Sequence, residues 1–185
     1  QYTGTQVYNA NYWCRPNIVY NSPVYLITVS EVEFFLAEYY ARYGSAGDAA
    51  THYAAAVEAS FATAGVDGAA DYLEHNPYDS SNYAECIGVA KWVALAGVNN
   101  YEAWCEVRRL GYPAFGTAQG SDFYGSDDDS FDTSSYVPGT LYTPIQVFGQ
   151  VGANQLLQRF PYADDSSSAN ANVPEFPGYT VPVFW

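Results

Sequence analysis

The sequence is short of positive charge. It has 6 basic against 20 acidic residues and a formal net charge of -14, and Lys91 is its single lysine. DNA or RNA would be repelled by this charge, which excludes nucleic acid as a partner. The sequence also contains no Met, and no stretch approaches the roughly 18 to 20 uninterrupted apolar residues of a membrane-spanning helix. Because Gln1 is not followed by the pattern of a signal peptide, we expect an internal piece of a longer protein.

Cysteine and histidine are scarce as well. Cys14, Cys86 and Cys105 form no CxxC pair, and neither His52 nor His75 lies at metal-ligand spacing from them. We therefore expect no structural zinc site and no cofactor. A disulfide between two of the three cysteines remains open, since an odd number of thiols excludes only a complete set of bridges.

Aromatic residues are abundant, with 19 Tyr, 10 Phe and 4 Trp. At 185 residues and 49% hydrophobic content, the chain is long enough to bury one sizeable core, and a single domain is the default expectation. Large amphipathic rings serve either such a core or a binding surface.

Periodicity and capping signals predict a mainly α fold built from helical hairpins. The expected helices cover about 31–43, 48–64, 83–96 and 100–110, and each successive pair forms a hairpin. A helix, tight turn and helix of roughly 34 residues is the tetratricopeptide period, and one such unit cannot bury its own faces. Residues 113–185 show no sustained period, so long loops are expected there.

Individual residues mark the helix ends. Ser30 with Glu33 has capping-box spacing ahead of the first helix, and Asp48 is a natural N-cap for the second. Apolar residues then recur at helical spacing until Gly44, namely Val32, Phe35, Leu36, Tyr39 and Tyr43.

The segment 101–113, YEAWCEVRRLGYP, is a helix with an aromatic face and two arginines in its last turn, where the helix dipole favours cations. We expect Arg108 and Arg109 to pair with Glu102, Glu106 or backbone carbonyls rather than with a ligand.

This segment also resembles the EAW and RR-x-GYP signature of the SusD/RagB family. Other elements follow in the family's order: SEVEFFLAE at 30–38, CIGVAKWVAL at 86–95, RFPY at 159–162 and PVFW at 182–185. Val89 stands where the family usually has Gln, and Phe184 replaces a Trp. Asp164 and Asp165 replace the usual E-x-x-x-N. These departures affect subfamily assignment more than membership.

The resemblance implies that residues 1–185 are one C-terminal region of a longer nutrient-binding lipoprotein whose N-terminal part is absent. Such proteins lie on the cell surface, attached to the outer membrane by a lipid at their N-terminus, beside a SusC-like TonB-dependent transporter. They bind nutrients without chemistry, so no catalytic residue is expected. Oligosaccharides are the usual ligand, and some members bind peptides.

Four aromatic residues in loops are candidates for ligand binding. Tyr12 and Trp13 lie in the leading segment, and Phe123 and Tyr124 lie in a segment rich in Gly, Ser and Asp. Aromatic rings stack on the apolar faces of sugars while neighbouring polar side chains satisfy hydroxyls.

Two other functions stay open. The chain is a docking scaffold for the transporter if a large apolar surface is left bare. It is a glycan hydrolase if two carboxylates converge in a cleft at about 5 to 10 Å. Asp127, Asp128, Asp129 and Asp132 offer oxygen ligands for calcium, but a solvated acidic loop is the preferred interpretation because EF-hand spacing is missing.

Overall fold

The computed structural model describes residues 20–21, 23–119, 137, 139–143, 145–152 and 154–183. These residues belong to two compact units, which meet in sequence between Pro113 and Ala114. The part up to Pro113 is the helical unit below, and the part from Ala114 is the C-terminal unit.

The described part of the chain is mainly helical, which confirms the predicted fold class. The helical unit contains α1 (Val29–Tyr43), α2 (Ala46–Ala64), α3 (Ala69–His75), a 3-10 turn (Ser80–Asn82), α4 (Tyr83–Leu95) and α5 (Asn100–Leu110). The C-terminal unit contains β1 (Phe115–Gln119), β2 (Leu141–Thr143), α6 (Ile145–Val151) and α7 (Asp164–Ala169). Its two strands run parallel, with Phe115 opposite Leu141, and they were not predicted from the sequence.

Helix α1 begins two residues before its predicted start. Its N-cap is Thr28, whose Oγ1 accepts a hydrogen bond from the backbone N–H of Glu31 at 3.1 Å. Ser30, the expected cap, instead lies buried inside the first turn and donates its hydroxyl to the carbonyl of Ala56 on α2 at 2.8 Å. The prediction of Ser30 as N-cap was wrong, because its hydroxyl bonds to α2 and does not cap a backbone N–H of α1.

Helix α2 also begins two residues earlier than predicted. Ser45 is its N-cap and accepts from the backbone N–H of Asp48 at 3.1 Å, while the Ser45 hydroxyl donates to the Asp48 carboxylate at 2.7 Å. Asp48 is thus the third helical residue of a capping pair rather than the cap itself. Its negative charge still lies in the first turn, where the helix dipole favours it.

The core of the helical unit combines a few large rings with small residues that let the helices approach closely. Its fully buried members are Phe34, Ala37, Tyr53, Ala56, Val57, Ile87 and Ala90, from α1, α2 and α4. Close approach of two segments also requires a glycine at one position of α4. A Cβ at Gly88 of α4 would lie 2.8 Å from the Cβ of Tyr112, so the segment that leaves α5 crosses α4 only because this position has no side chain.

A chain of alternating charges joins α1, α4 and α5. Its members, in order of contact, are Arg42, Glu38, Arg109, Glu106 and Lys91, and this set is called the charge chain below. Arg109 is central because its guanidinium donates two hydrogen bonds to Glu38, at 2.6 and 2.5 Å, and two to Glu106, at 3.1 and 2.7 Å. Arg42 adds a bond of 2.8 Å to Glu38. Such fork-shaped pairing fixes geometry as well as charge.

The charge chain shifts the titration of its members. Burial alone would raise the pKa of Glu38, but the hydrogen bonds and the charge of Arg109 outweigh burial, and the pKa lies below its ordinary value of 4.5. The same bonds raise the pKa of Arg109. Glu31, which is buried on the same helix as Glu38, has the opposite shift, because burial raises its pKa more than the charge of Lys91 lowers it.

Replacing Glu38 by Gln keeps the size of the side chain and removes the negative charge between Arg42 and Arg109. We expect the free energy of unfolding to fall by about 3 kcal/mol, because removing one partner of a buried ion pair leaves the others uncompensated. Urea unfolding followed by helical circular dichroism measures this difference. Glu58→Gln, at an exposed position of α2, is the matched control and should change it by no more than about 0.5 kcal/mol. Equal losses in the two variants would contradict a structural role for the charge chain.

Protonation of Glu38 at low pH should reduce the free energy of unfolding. Since its pKa is lower in the folded chain than in the unfolded chain, its contribution is present above the unfolded pKa and is lost as the pH falls through the folded one. We expect unfolding free energy to decrease between about pH 5 and pH 3, with a smaller decrease in Glu38→Gln. Protonation of Glu31, whose pKa is raised, opposes this trend in both proteins. Identical acid profiles for the two proteins would show that Glu38 is not the responsible group.

Candidate binding surfaces

The aromatic residues predicted to bind ligand lie outside the described residues. This holds for Tyr12, Trp13, Phe123 and Tyr124, and their role stays a prediction. The acidic run that includes Asp127 and Asp132 also lies outside them, as does Cys14.

The apolar residues that identified α1 from its sequence do not face the core. Val32, Phe35, Tyr39 and Tyr43 are exposed, the last of them at 76%, and Val29 in the first turn is exposed at 68%. Val29, Val32, Leu36, Tyr39 and Tyr43 follow one another at alternating steps of three and four, and this set is called the α1 stripe. Such spacing produces a continuous seam along one side of a helix.

The opposite side of α1 is turned inward although it carries two carboxylates. Glu31 and Glu38 are buried there together with Phe34 and Ala37. Arg109 on α5 holds Glu38 inside, and Phe34 and the small Ala37 belong to the core that α1 shares with α2 and α4.

Lys91 is buried to 1% exposure beneath this helix. Its Nζ lies 3.6 Å from the centroid of the Phe35 ring and 3.3 Å from Oε2 of Glu106, an ion pair whose geometry is not that of a hydrogen bond. Burial lowers the pKa of Lys91, and the Glu106 carboxylate opposes the shift. A cation stacked on an aromatic face is stabilised by the ring's quadrupole. Phe35 therefore covers the ammonium, and Lys91 belongs to the scaffold rather than to a ligand site.

The two arginines at the end of α5 have separate roles. Arg109 pairs with Glu38 and Glu106, as the charge chain shows, whereas the guanidinium of Arg108 lies 4.2 Å from the ring of Trp104. The pairing of Arg109 with Glu106 agrees with the expectation that these arginines hold the structure together. The contact with Glu38, 71 residues away in sequence, was not predicted.

The histidines and thiols within the described residues form no metal site. His52 lies parallel to Tyr40 with ring centroids 5.1 Å apart, and its Nδ1 is 2.6 Å from Oε2 of Glu33. No group of three or more His, Cys, Asp or Glu side chains arranged to hold a metal occurs in this part of the chain. Cys86 and Cys105 are free thiols.

The C-terminal unit carries three rings in contact, Tyr162, Phe176 and Tyr179, and these are named the C-terminal aromatic cluster here together with Phe160, their neighbour in sequence. Phe176 is central, with its centroid 6.4 Å from that of Tyr162 and 5.0 Å from that of Tyr179, both edge to face. Phe160 lies two residues before Tyr162 in the sequence, and its side chain is exposed at 70%. Sequence reasoning missed the cluster because the two pairs are 14 or more residues apart in segments without regular period.

No helix among the described residues is long and apolar enough to cross a membrane.

Comparison with known proteins identifies the family. The sequence model of the SusD-like family, described as starch-binding and associating with the outer membrane, matches residues 2–130. A solved structure described as a chitin-binding protein is 29% identical, with a TM-score of 0.41, over 65% of this chain and 26% of that one. The chain thus spans about a quarter of that protein. No curated protein matches the sequence. Since the family match covers more than half of the residues, including the motifs at 30–38, 86–95 and 101–113, the chain belongs to the SusD-like family.

Proposed function

We propose that the chain is part of a non-catalytic cell-surface protein that binds a nutrient for uptake by a SusC-like TonB-dependent transporter in the outer membrane. An oligosaccharide is the preferred ligand and a peptide is the alternative. The observation that carries the proposal is the family match over residues 2–130, with its description of starch binding at the outer membrane. Attachment through a lipid on the N-terminal part of a longer protein is included in the proposal.

The surface chemistry of the chain is compatible with sugar as ligand. The C-terminal aromatic cluster presents Phe160 and Tyr162 to solvent. Sugars bind to such rings through their apolar faces, and polar groups nearby orient the hydroxyls. The net charge of -14 disfavours polyanionic ligands.

We assign no chemistry to this protein. A glycosidase needs two carboxylates about 5 to 10 Å apart that remain free to exchange protons or attack a sugar. Glu38 and Glu106 do converge, but the guanidinium of Arg109 binds both of them and both are buried. Their arrangement supports a structural role, and the proposal is therefore one of binding alone.

A second candidate function is docking onto the transporter, and the α1 stripe favours it. Contiguous apolar surface is seldom left exposed on a soluble protein unless it contacts a partner. The stripe covers the full length of α1, from Val29 to Tyr43. Binding of nutrient and docking are compatible activities of one protein.

Calorimetric titration of the 185-residue chain with maltoheptaose, chitohexaose and a short neutral peptide tests the first proposal. We expect saturable heat with at least one of the oligosaccharides and no cleavage product after prolonged incubation, because binding is proposed without chemistry. The same titration after heat denaturation of the chain is the control. Silence toward both sugars would contradict oligosaccharide binding, saturation by the peptide alone would select the alternative ligand, and cleavage would favour the hydrolase.

The docking function predicts the behaviour of a double variant of the α1 stripe. Val29→Gln with Tyr43→Gln should leave the unfolding free energy within about 0.5 kcal/mol of the original, because both side chains are exposed. We expect it to reduce co-purification with the SusC-like transporter from detergent-solubilised outer membranes. Tyr101→Gln, an exposed residue of α5, is the matched control. Unchanged co-purification of the double variant would argue against docking through α1.

A further inference from the structure

The C-terminal aromatic cluster is held in place by backbone contacts on both sides. The Arg159 side chain donates from Nε to the carbonyl of Val181 at 2.8 Å and from Nη2 to that of Pro182. The backbone N–H of Gln158 donates to the carbonyl of Tyr179 at 2.8 Å. Two segments that are about 20 residues apart in sequence are thereby fixed against each other immediately beside the rings. A preorganised platform loses less conformational entropy when it binds a ligand.

The four rings divide into two that support and two that face solvent. Phe176 and Tyr179 are half-buried and pack edge to face. Tyr162 packs edge to face with Phe176 and remains exposed at 41%, and Phe160 is exposed as well. Edge-to-face support orients the Tyr162 ring without covering both of its faces.

Eight of the thirteen residues between Tyr162 and Phe176 are polar, and all eight are exposed. They comprise Asp164, Asp165, Ser166, Ser167, Ser168, Asn170, Asn172 and Glu175. Since Phe176 contacts Tyr162, both ends of this polar segment adjoin the cluster. Hydroxyl, amide and carboxylate groups in a segment that begins and ends at exposed or half-buried rings suit a sugar, which has apolar C–H faces and a rim of hydroxyls.

We propose that the C-terminal aromatic cluster is an oligosaccharide-binding site in which Tyr162 stacks on a sugar ring and Phe160 extends the platform. The inference rests on the proposed function and specifies where in this chain the sugar binds. The ligand is a neutral oligosaccharide, because Asp164, Asp165 and Glu175 would repel uronic or sulfated sugars. Phe176 and Tyr179 are positioning residues that orient Tyr162.

Titration of three variants of the 185-residue chain tests the site, with maltoheptaose and chitohexaose as probes. Tyr162→Ala should weaken binding of the sugar recognised by the original chain on the order of tenfold, whereas Tyr162→Phe, which keeps the ring, should stay within about twofold. Tyr101→Ala removes an exposed tyrosine of the helical unit and should have no effect. Circular dichroism establishes that each variant is folded, and Phe160→Ala replaces Tyr162→Ala if the latter does not fold.

The outcomes separate this inference from the proposed function. Weakening by Tyr162→Ala but not by Tyr162→Phe or Tyr101→Ala supports the site. Full-strength binding by Tyr162→Ala or Phe160→Ala overturns the site and leaves oligosaccharide binding intact. Absence of binding by the original chain contradicts oligosaccharide binding by this chain as a whole. Tighter binding of an oligogalacturonate than of the neutral sugars would overturn the assigned ligand class.

Discussion

The helical unit depends on the guanidinium of Arg109, which binds two buried carboxylates on different helices. In a sequence with 20 acidic and 6 basic residues, three of the six cations, Arg42, Lys91 and Arg109, lie in the charge chain. Burying these charges costs free energy that their mutual contacts must offset, so the arrangement is stable only while each member keeps its partners. The three helices that contribute them are consequently held in one relative position.

The same interaction explains the orientation of α1. Its inner side provides a partner for the cations through Glu38 and packs in the core through Phe34 and the small Ala37. The outer side is left with the α1 stripe. The inner face of this helix thus fixes the scaffold through charge, and its outer face carries the exposed apolar side chains on which the proposed docking rests.

Much of the helical fold was accessible from the sequence, since glycines and capping residues mark where helices end. The predicted C-terminal limits near Gly44, Gly65 and Gly111 agree with the structure because they depend on local backbone geometry. Which side of α1 is buried could not be predicted from the sequence, because it is decided by the contact of Glu38 with Arg109, 71 residues away. The C-terminal aromatic cluster was not predicted for a similar reason. Tyr162 and Phe176 belong to irregular segments, where no periodicity indicates which side chains are in contact.

The burial of Lys91 has a practical consequence for handling the protein. Since the sequence contains one lysine and its amine is shielded by Phe35 and Glu106, reagents that acylate or cross-link amines find no accessible lysine side chain on the folded chain. Modification of this residue requires the helices to separate first. The ammonium is thus an internal reporter of opening: the rate at which it reacts measures how often α1 lifts away from α4.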